Sequence, residues 1–223
     1  MAAMFGLGAD ASQTLTVVPP VTLKLGPGRI VFVTGASGGG KSTLLRGIAA
    51  GLAGDERAEV LDFGALPEPS DAAVVDAVDG GALPLDRALR VLSLAGLNDA
   101  FVMLRRPSEL SDGQRYRFRL AQTMAAVEIR DRERAGGDGK LTAVLADEFG
   151  ATLDRTTAVA LSRNVRRWVD ASLGTEGPSQ GPTSGGVCLV VATTHDDLLE
   201  ALSPDVLVEQ RLGEGIEIVE AGS

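Results

Sequence analysis

Apolar and polar positions along the chain fall into short β-branched runs separated by stretches of helical period. Leu15 to Leu25 alternates around Pro19 and Pro20 and predicts edge β structure, because proline cannot donate to a ladder. Arg29 to Thr34 is a short apolar, β-branched run of the kind that forms a buried parallel strand. A glycine-rich turn follows, then a helix predicted over Ser42 to Ala50. Short strands are predicted at Glu59–Phe63 and Ala73–Ala77. From Leu85 to Leu104 the period becomes helical, with Leu85, Ala88, Leu89, Leu92 and Ala95 on one face. A second helix is predicted after Ser111, running to Arg130, and Asp131 to Lys140 reads as a solvated turn. Leu141–Ala146 is again an apolar strand and Asp154–Ala171 a helix. Gly174–Gly186, rich in Gly, Pro, Ser and Thr, predicts a flexible loop. Val187–Ala192 reads as a buried strand, and short strands at Val206–Glu209 and Ile216–Val219 complete the pattern. There is no internal repeat. Strands alternating with helices predict a layered α/β fold with a largely parallel core sheet.

Composition narrows this further. The 223 residues fit one α/β domain, alone or with a small inserted lobe, and 44% hydrophobic against 23% charged residues allows a packed core. Aromatics are only 4%, so that core must be mostly Leu, Val and Ala. A net charge of -9 argues against broad adhesion to nucleic acid or to anionic membrane. Cys188 is the single cysteine, which excludes an intramolecular disulfide and suits a reducing cytoplasm. No apolar run is long enough to span a bilayer, and Met1 to Asp10 lacks the basic start of a secretory signal. A cytoplasmic protein is expected, and any membrane-spanning partner would be another chain.

Two segments carry recognisable chemistry. Gly35-Ala36-Ser37-Gly38-Gly39-Gly40-Lys41-Ser42 matches the Walker A pattern, with a predicted strand before it and a helix after. Glycines let backbone N–H groups turn toward phosphate oxygens, and the helix start adds positive potential. Lys41 is placed to neutralise β- and γ-phosphates and Ser42 to ligate Mg2+. Ala143-Val144-Leu145-Ala146 is an apolar strand ending in Asp147 and Glu148, the form of a Walker B element. Asp147 then holds Mg2+ through water, and Glu148 polarises the attacking water. Taken alone, each segment has an ordinary reading: a glycine-rich loop, and an acidic strand end at a turn.

Between these two lies Leu110-Ser111-Asp112-Gly113-Gln114, which resembles the signature LSGGQ of ATP-binding cassette (ABC) ATPases. Ser111 is a natural N-cap for the helix that follows, and Gly113 allows close backbone approach. After Glu148, Ala151-Thr152-Leu153-Asp154 is similar to the D-loop of that family, and His195, the only histidine, resembles its switch histidine. The resemblance covers roughly Arg29 to His195. It implies a P-loop NTPase fold of ABC ATPase type: a largely parallel core sheet, an N-terminal antiparallel β subdomain and a small helical signature lobe. Residues 1–223 would form one such domain, with the lobe at about 78–130 inserted in the core and the flexible loop at 174–186. It also implies a composite active site. ATP with Mg2+ would sit on the loop Gly35 to Thr43 of one copy, capped by Ser111, Gly113 and Gln114 of a second, with Lys41, Glu148 and His195 acting in hydrolysis. The expected assembly is an ATP-dependent homodimer that turns nucleotide state into motion of an unidentified protein partner.

The chain departs from the family pattern in several places. No glutamine occurs between Thr43 and Leu110, so the usual Q-loop glutamine is missing; Asp76 or Asp79 is the candidate for its place, against the ordinary reading of a solvated strand end. Ser111 follows Lys41 by 70 residues (111 − 41), which is compact beside transporter ATPases and favours a soluble machine over a membrane-transporter subunit. Asp112 stands where the family has glycine, and Phe5 is the sole aromatic before Arg29, a candidate to stack on adenine against the ordinary reading of a disordered tail residue. Arg105, Arg106, Arg115, Arg117 and Arg119 gather around the signature; pairing with Glu109 and Asp112 is the ordinary reading, against contact with a partner's ATP, nucleic acid or an acidic partner. The competing functions are a phosphate-loop kinase, which needs neither the signature nor His195, and a nucleotide-gated dimerisation switch with little turnover.

Overall fold

Strand β1, Ile30–Gly35, shows how the sheet is built. Its side chains alternate between faces. Ile30 and Phe32 enter one apolar layer with Phe118, Met124, Val165 and Trp168. Val31 and Val33 enter the opposite layer with Leu44, Leu45, Val190 and Val206. A strand buried on both faces must be apolar throughout, which is why the run carries no polar alternation. The computed structural model describes residues 21–134, 139–172, 186–211 and 215–221.

The helices and strands follow the expected alternation. After β1 come α1 (Lys41–Leu52), β2 (Ala58–Asp62), a one-turn α2 (Val74–Ala77), α3 (Leu85–Leu94) and a one-turn α4 (Ala100–Met103). The 22-residue α5 (Asp112–Glu133) leads to β3 (Leu141–Ala146), α6 (Arg155–Ala171), β4 (Val187–Ala192), α7 (Leu199–Leu202), β5 (Val206–Arg211) and β6 (Gly215–Glu220). The strands form one sheet in the order β2-β3-β4-β1-β5-β6. All neighbours are parallel except β5 with β6. β1 pairs on one side with β4, Val33 opposite Ala192, and on the other with β5, Gly35 opposite Gln210. Chain order reverses at β1, which opens a crevice beyond the carboxyl ends of the strands. The parallel core sheet with its helical lobe is thus the expected one.

Several local expectations change. Ala73–Ala77 is not a strand: Val74 and Ala77 are both buried and share one face of a single helical turn, and the Val74 amide donates to the Arg105 carbonyl at 2.8 Å. A short apolar run carries no period strong enough to separate the two forms. The helix predicted over Leu85 to Leu104 breaks in two. Gly96 takes φ +78° and ends α3, and the Asp99 carboxylate then caps α4 through the Phe101 amide at 2.8 Å. The buried face of α3 is Ala88, Val91 and Leu92, continued by Ala95 just past its end, while Leu85 and Leu89 of the expected face are exposed. Helix α5 runs on to Glu133, beyond the predicted stop at Arg130. Residues 21–25 carry no strand; the rest of the predicted edge structure, with Phe5 and the expected N-terminal antiparallel subdomain, lies outside the described residues. The same holds for the predicted loop apart from Gly186. Among the described residues no helix is long and apolar enough to cross a membrane.

Candidate active site

Strands β1, β3 and β4 end at the same edge of the sheet. At its last residue β1 passes so close to β5 that a Cβ on Gly35 would lie 2.3 Å from the Gln210 carbonyl oxygen, so only glycine fits. The loop then turns left-handed at Gly40, φ 96°, which caps α1 with no side-chain hydrogen bond. The first amides of α1 are therefore not consumed by a capping side chain, and they concentrate positive potential at the helix start. Lys41 Nζ donates to the carbonyls of Gly35 at 2.8 Å and Ala36 at 2.9 Å, which draws its ammonium back over the loop.

β3 is buried to Ala146 and then delivers Asp147 and Glu148 to the surface. Lys41, Ser42, Thr43, Asp147, Glu148 and Thr194 line one cleft of about 460 Å³. Glu148 has φ 51°. A side-chain-bearing residue holds such an angle at a cost of about 1–3 kcal/mol, and only where the surroundings enforce it. Here they do. The Glu148 amide donates to Asp147 Oδ1 at 2.9 Å, and the Phe149 amide to the Ala192 carbonyl at 2.9 Å. Thr193, buried at the end of β4, donates its hydroxyl to the Phe149 carbonyl at 3.0 Å and accepts from the His195 amide at 3.2 Å. The Gly150 amide donates to the Tyr116 hydroxyl at 2.8 Å.

Not every candidate residue lines this cleft. His195 directly follows Thr194 but is not itself a lining residue. The carboxylates after it are engaged: Asp196 accepts from Thr34 Oγ1 at 2.5 Å, and Asp197 is paired with Arg155. Ser111, Gly113 and Gln114 lie outside the cleft. Ser111 caps α5 in a reciprocal box, accepting from the Gln114 amide at 3.4 Å while its own amide donates to Gln114 Oε1 at 3.1 Å. A Cβ on Gly113 would meet only Leu153, at an ordinary 3.7 Å. Among the described residues nothing requires a glycine there.

Asp112 points into solvent and reaches Arg115 at 3.5 Å. Asp79 is spent on the turn before α3, accepting from the amides of Gly81 at 3.0 Å and Leu83 at 2.6 Å. Neither it nor Asp76 lines the cleft. Of the arginines, Arg106 pairs with Asp71 at 2.8 Å, and Arg117 donates to the carbonyls of Gly113 and Gly96. Arg119 donates to three carbonyls of the bend after β2, those of Phe63, Gly64 and Leu66, at 2.9–3.0 Å. These last two are internal struts rather than a basic binding face. Sequence reading gave no role to Tyr116 or to Thr193, which stands in the stretch leading to His195, since the bonds Tyr116 to Gly150 and Thr193 to Phe149 join positions distant in sequence.

The donors present fit a Mg-bound triphosphate. Ser42 and Asp147 offer a hydroxyl and a carboxylate to one cleft, and Mg2+ requires few protein oxygens once phosphate supplies others. The cleft also falls within the usual size range for a small-molecule site, about 300–1,000 Å³.

No protein-family profile matches the chain. It is 30% identical over 182 residues to the lipoprotein-releasing system ATP-binding protein LolD of Novosphingobium aromaticivorans, covering 67% of this chain and 74% of that protein. LolD of Acinetobacter baylyi is 29% identical over 191 residues, covering 68% of this chain and 74% of that protein. The methionine import ATP-binding protein MetN of Rhizobium meliloti is 29% identical, covering 96% of this chain and 59% of that protein. Among solved structures, the dimeric, post-hydrolysis ATP-binding cassette MJ0796 bound to ADP and Pi superposes with a TM-score of 0.62 at 17% identity, covering 92% of this chain and 90% of that one. A further dimeric structure of MJ0796, described as a bacterial ABC transporter cassette, gives 0.61 at 19% identity over the same shares.

Proposed function

The chain belongs to the ABC family of ATP-binding proteins, ATPases that use ATP with Mg2+, and from that premise we propose the role of each residue in the cleft and the way two copies share it. Lys41 and the amides from Gly38 to Ser42 hold the β- and γ-phosphates. Ser42 and Asp147 would hold Mg2+, which would offset the charge on the phosphate oxygens. Glu148 accepts the proton of the attacking water, and His195 reaches the terminal phosphate from the end of β4. The observation that carries this reading is the convergence of Lys41, Ser42, Asp147 and Glu148, remote in sequence, on one cleft.

Two copies pack head to tail, so that Ser111, Gly113 and Gln114 of each close the cleft of the other. Support comes from the exposure of Ser111 outside its own cleft, and from a glycine at 113 that no contact among the described residues demands. Residues 1–223 work as one ATPase domain, in which the lobe at about 78–130 moves against the core. Glu148→Gln is expected to lower kcat by about 10²–10⁴ and to trap an ATP-bound dimer on size exclusion. Lys41→Ala is expected to abolish ATP binding; unchanged affinity in that variant would remove the loop from its role.

The motion acts on a protein partner. The compact spacing from Lys41 to Ser111 favours a machine without a membrane subunit. A transporter subunit is the second reading, and it is favoured by the exposed apolar side chains of the lobe, Leu85 at 63%, Phe101 at 79% and Leu104 at 71%. It is favoured too by relatives whose names carry lipoprotein release and methionine import. Recovery of the Glu148→Gln trap with a membrane protein, or without one, separates the two.

A further inference from the structure

The turn carrying Glu148 is held by a residue that the hydrolytic chemistry does not use. Gly150, two positions on, donates its amide to the Tyr116 hydroxyl at 2.8 Å. Tyr116 lies in α5, five residues beyond the Ser111 cap (116 − 111), so one helix carries both the signature and this tether. The ring is clasped between Phe63, at a centroid distance of 5.2 Å, and Phe149, which it meets edge-on at 6.4 Å. Phe149 is itself buried and anchored to β4 through Ala192 and Thr193. The backbone is left-handed at Glu148, φ 51°, and again at Gly150, φ 74°, so the turn depends on what grips it from outside. Burial pushes the Tyr116 phenol up, and it stays neutral at every working pH.

We propose that Tyr116 is a positioning residue for hydrolysis: by gripping the Gly150 amide it fixes the backbone angle at Glu148, and so makes the placement of the acid depend on the seat of α5. This rests on the reading of Glu148 as the base. In the head-to-tail dimer, Ser111 faces the nucleotide of the partner copy, whereas Glu148 serves the chain's own. A 22-residue helix is stiff, so a displacement at its Ser111 end reaches Gly150 through the tether. Tyr116 therefore joins one composite site to the other within a single protomer.

Tyr116→Phe keeps the ring and removes only the oxygen. In the full-length chain it is expected to lower kcat about tenfold while the KM for Mg·ATP stays within about twofold. In a Glu148→Gln background the same change should cost nothing further in single-turnover phosphate release, because the tether acts through Glu148. Hydrogen exchange over residues 147–151 should quicken in Tyr116→Phe while α5 stays protected. An unchanged kcat, an equal loss in both backgrounds, or unchanged exchange over that turn overturns the tether. A full rate in Glu148→Gln alone would instead remove the base, and the proposal with it.

Discussion

The hydroxyl of Thr193 donates to the carbonyl of Phe149 at 3.0 Å. The same oxygen accepts from the His195 amide, so one buried side chain spaces the turn after β3 from the turn after β4. Thr193→Val preserves the shape and strands both backbone groups. A loss of about 1–3 kcal/mol in urea unfolding is expected, as for a buried polar group left unpaired. The ATPase rate should fall several-fold at saturating Mg·ATP, and wild-type stability and turnover in the variant would show that the bridge carries nothing.

Cys188 sits in the middle of the sheet on β4, fully buried, and burial pushes its thiol up to about 11. A thiol that is neither exposed nor ionised does not react. The folded protein should therefore resist a thiol-specific dye near neutral pH over hours, and the unfolded chain should label at once. Rapid labelling of the native protein would mean that β4 opens to solvent far more often than a central strand should.

Helix α6 begins at a titratable cap. The Asp154 carboxylate accepts from the Thr157 amide at 2.9 Å, and hydrogen bonding from the Thr157 side chain, seconded by that amide, holds its pKa below the usual carboxylate range. Asp197 is lowered too, by its hydrogen bonds from Arg155. A folded-state pKa below the unfolded value of about 3.9 adds stability at higher pH, and that stability is lost as pH falls through the folded value. Asp154→Asn keeps an acceptor for Thr157 but cannot titrate. The stability margin of the wild type over this variant should shrink as pH drops below about 4, in denaturant titrations at each pH. A margin independent of pH would deny the carboxylate its role.

What the sequence made legible were features set by local chemistry. The glycines and Lys41 after a β-branched run, the acidic pair closing β3, and Ser111 heading a helix each follow from neighbours within a few residues, and the fold holds each as expected. Errors arose where a short apolar run has no distinguishing period, as at Val74–Ala77, or where burial depends on a distant partner, as for Leu85. Gly96 and Asp99 were readable as a stop and a restart, and the helical period across them concealed it. The roles of Tyr116 and Thr193 were beyond reach for another reason. Their partners across the fold, Gly150 and Phe149, lie 34 and 44 positions away.

Arg119 binds three carbonyls in the bend after β2. A guanidinium is a rigid planar fork of donors, so the three oxygens are held at a fixed spacing around it. Helix α5 and the bend are thereby stitched into one piece at the end of the second strand, across more than fifty positions of chain.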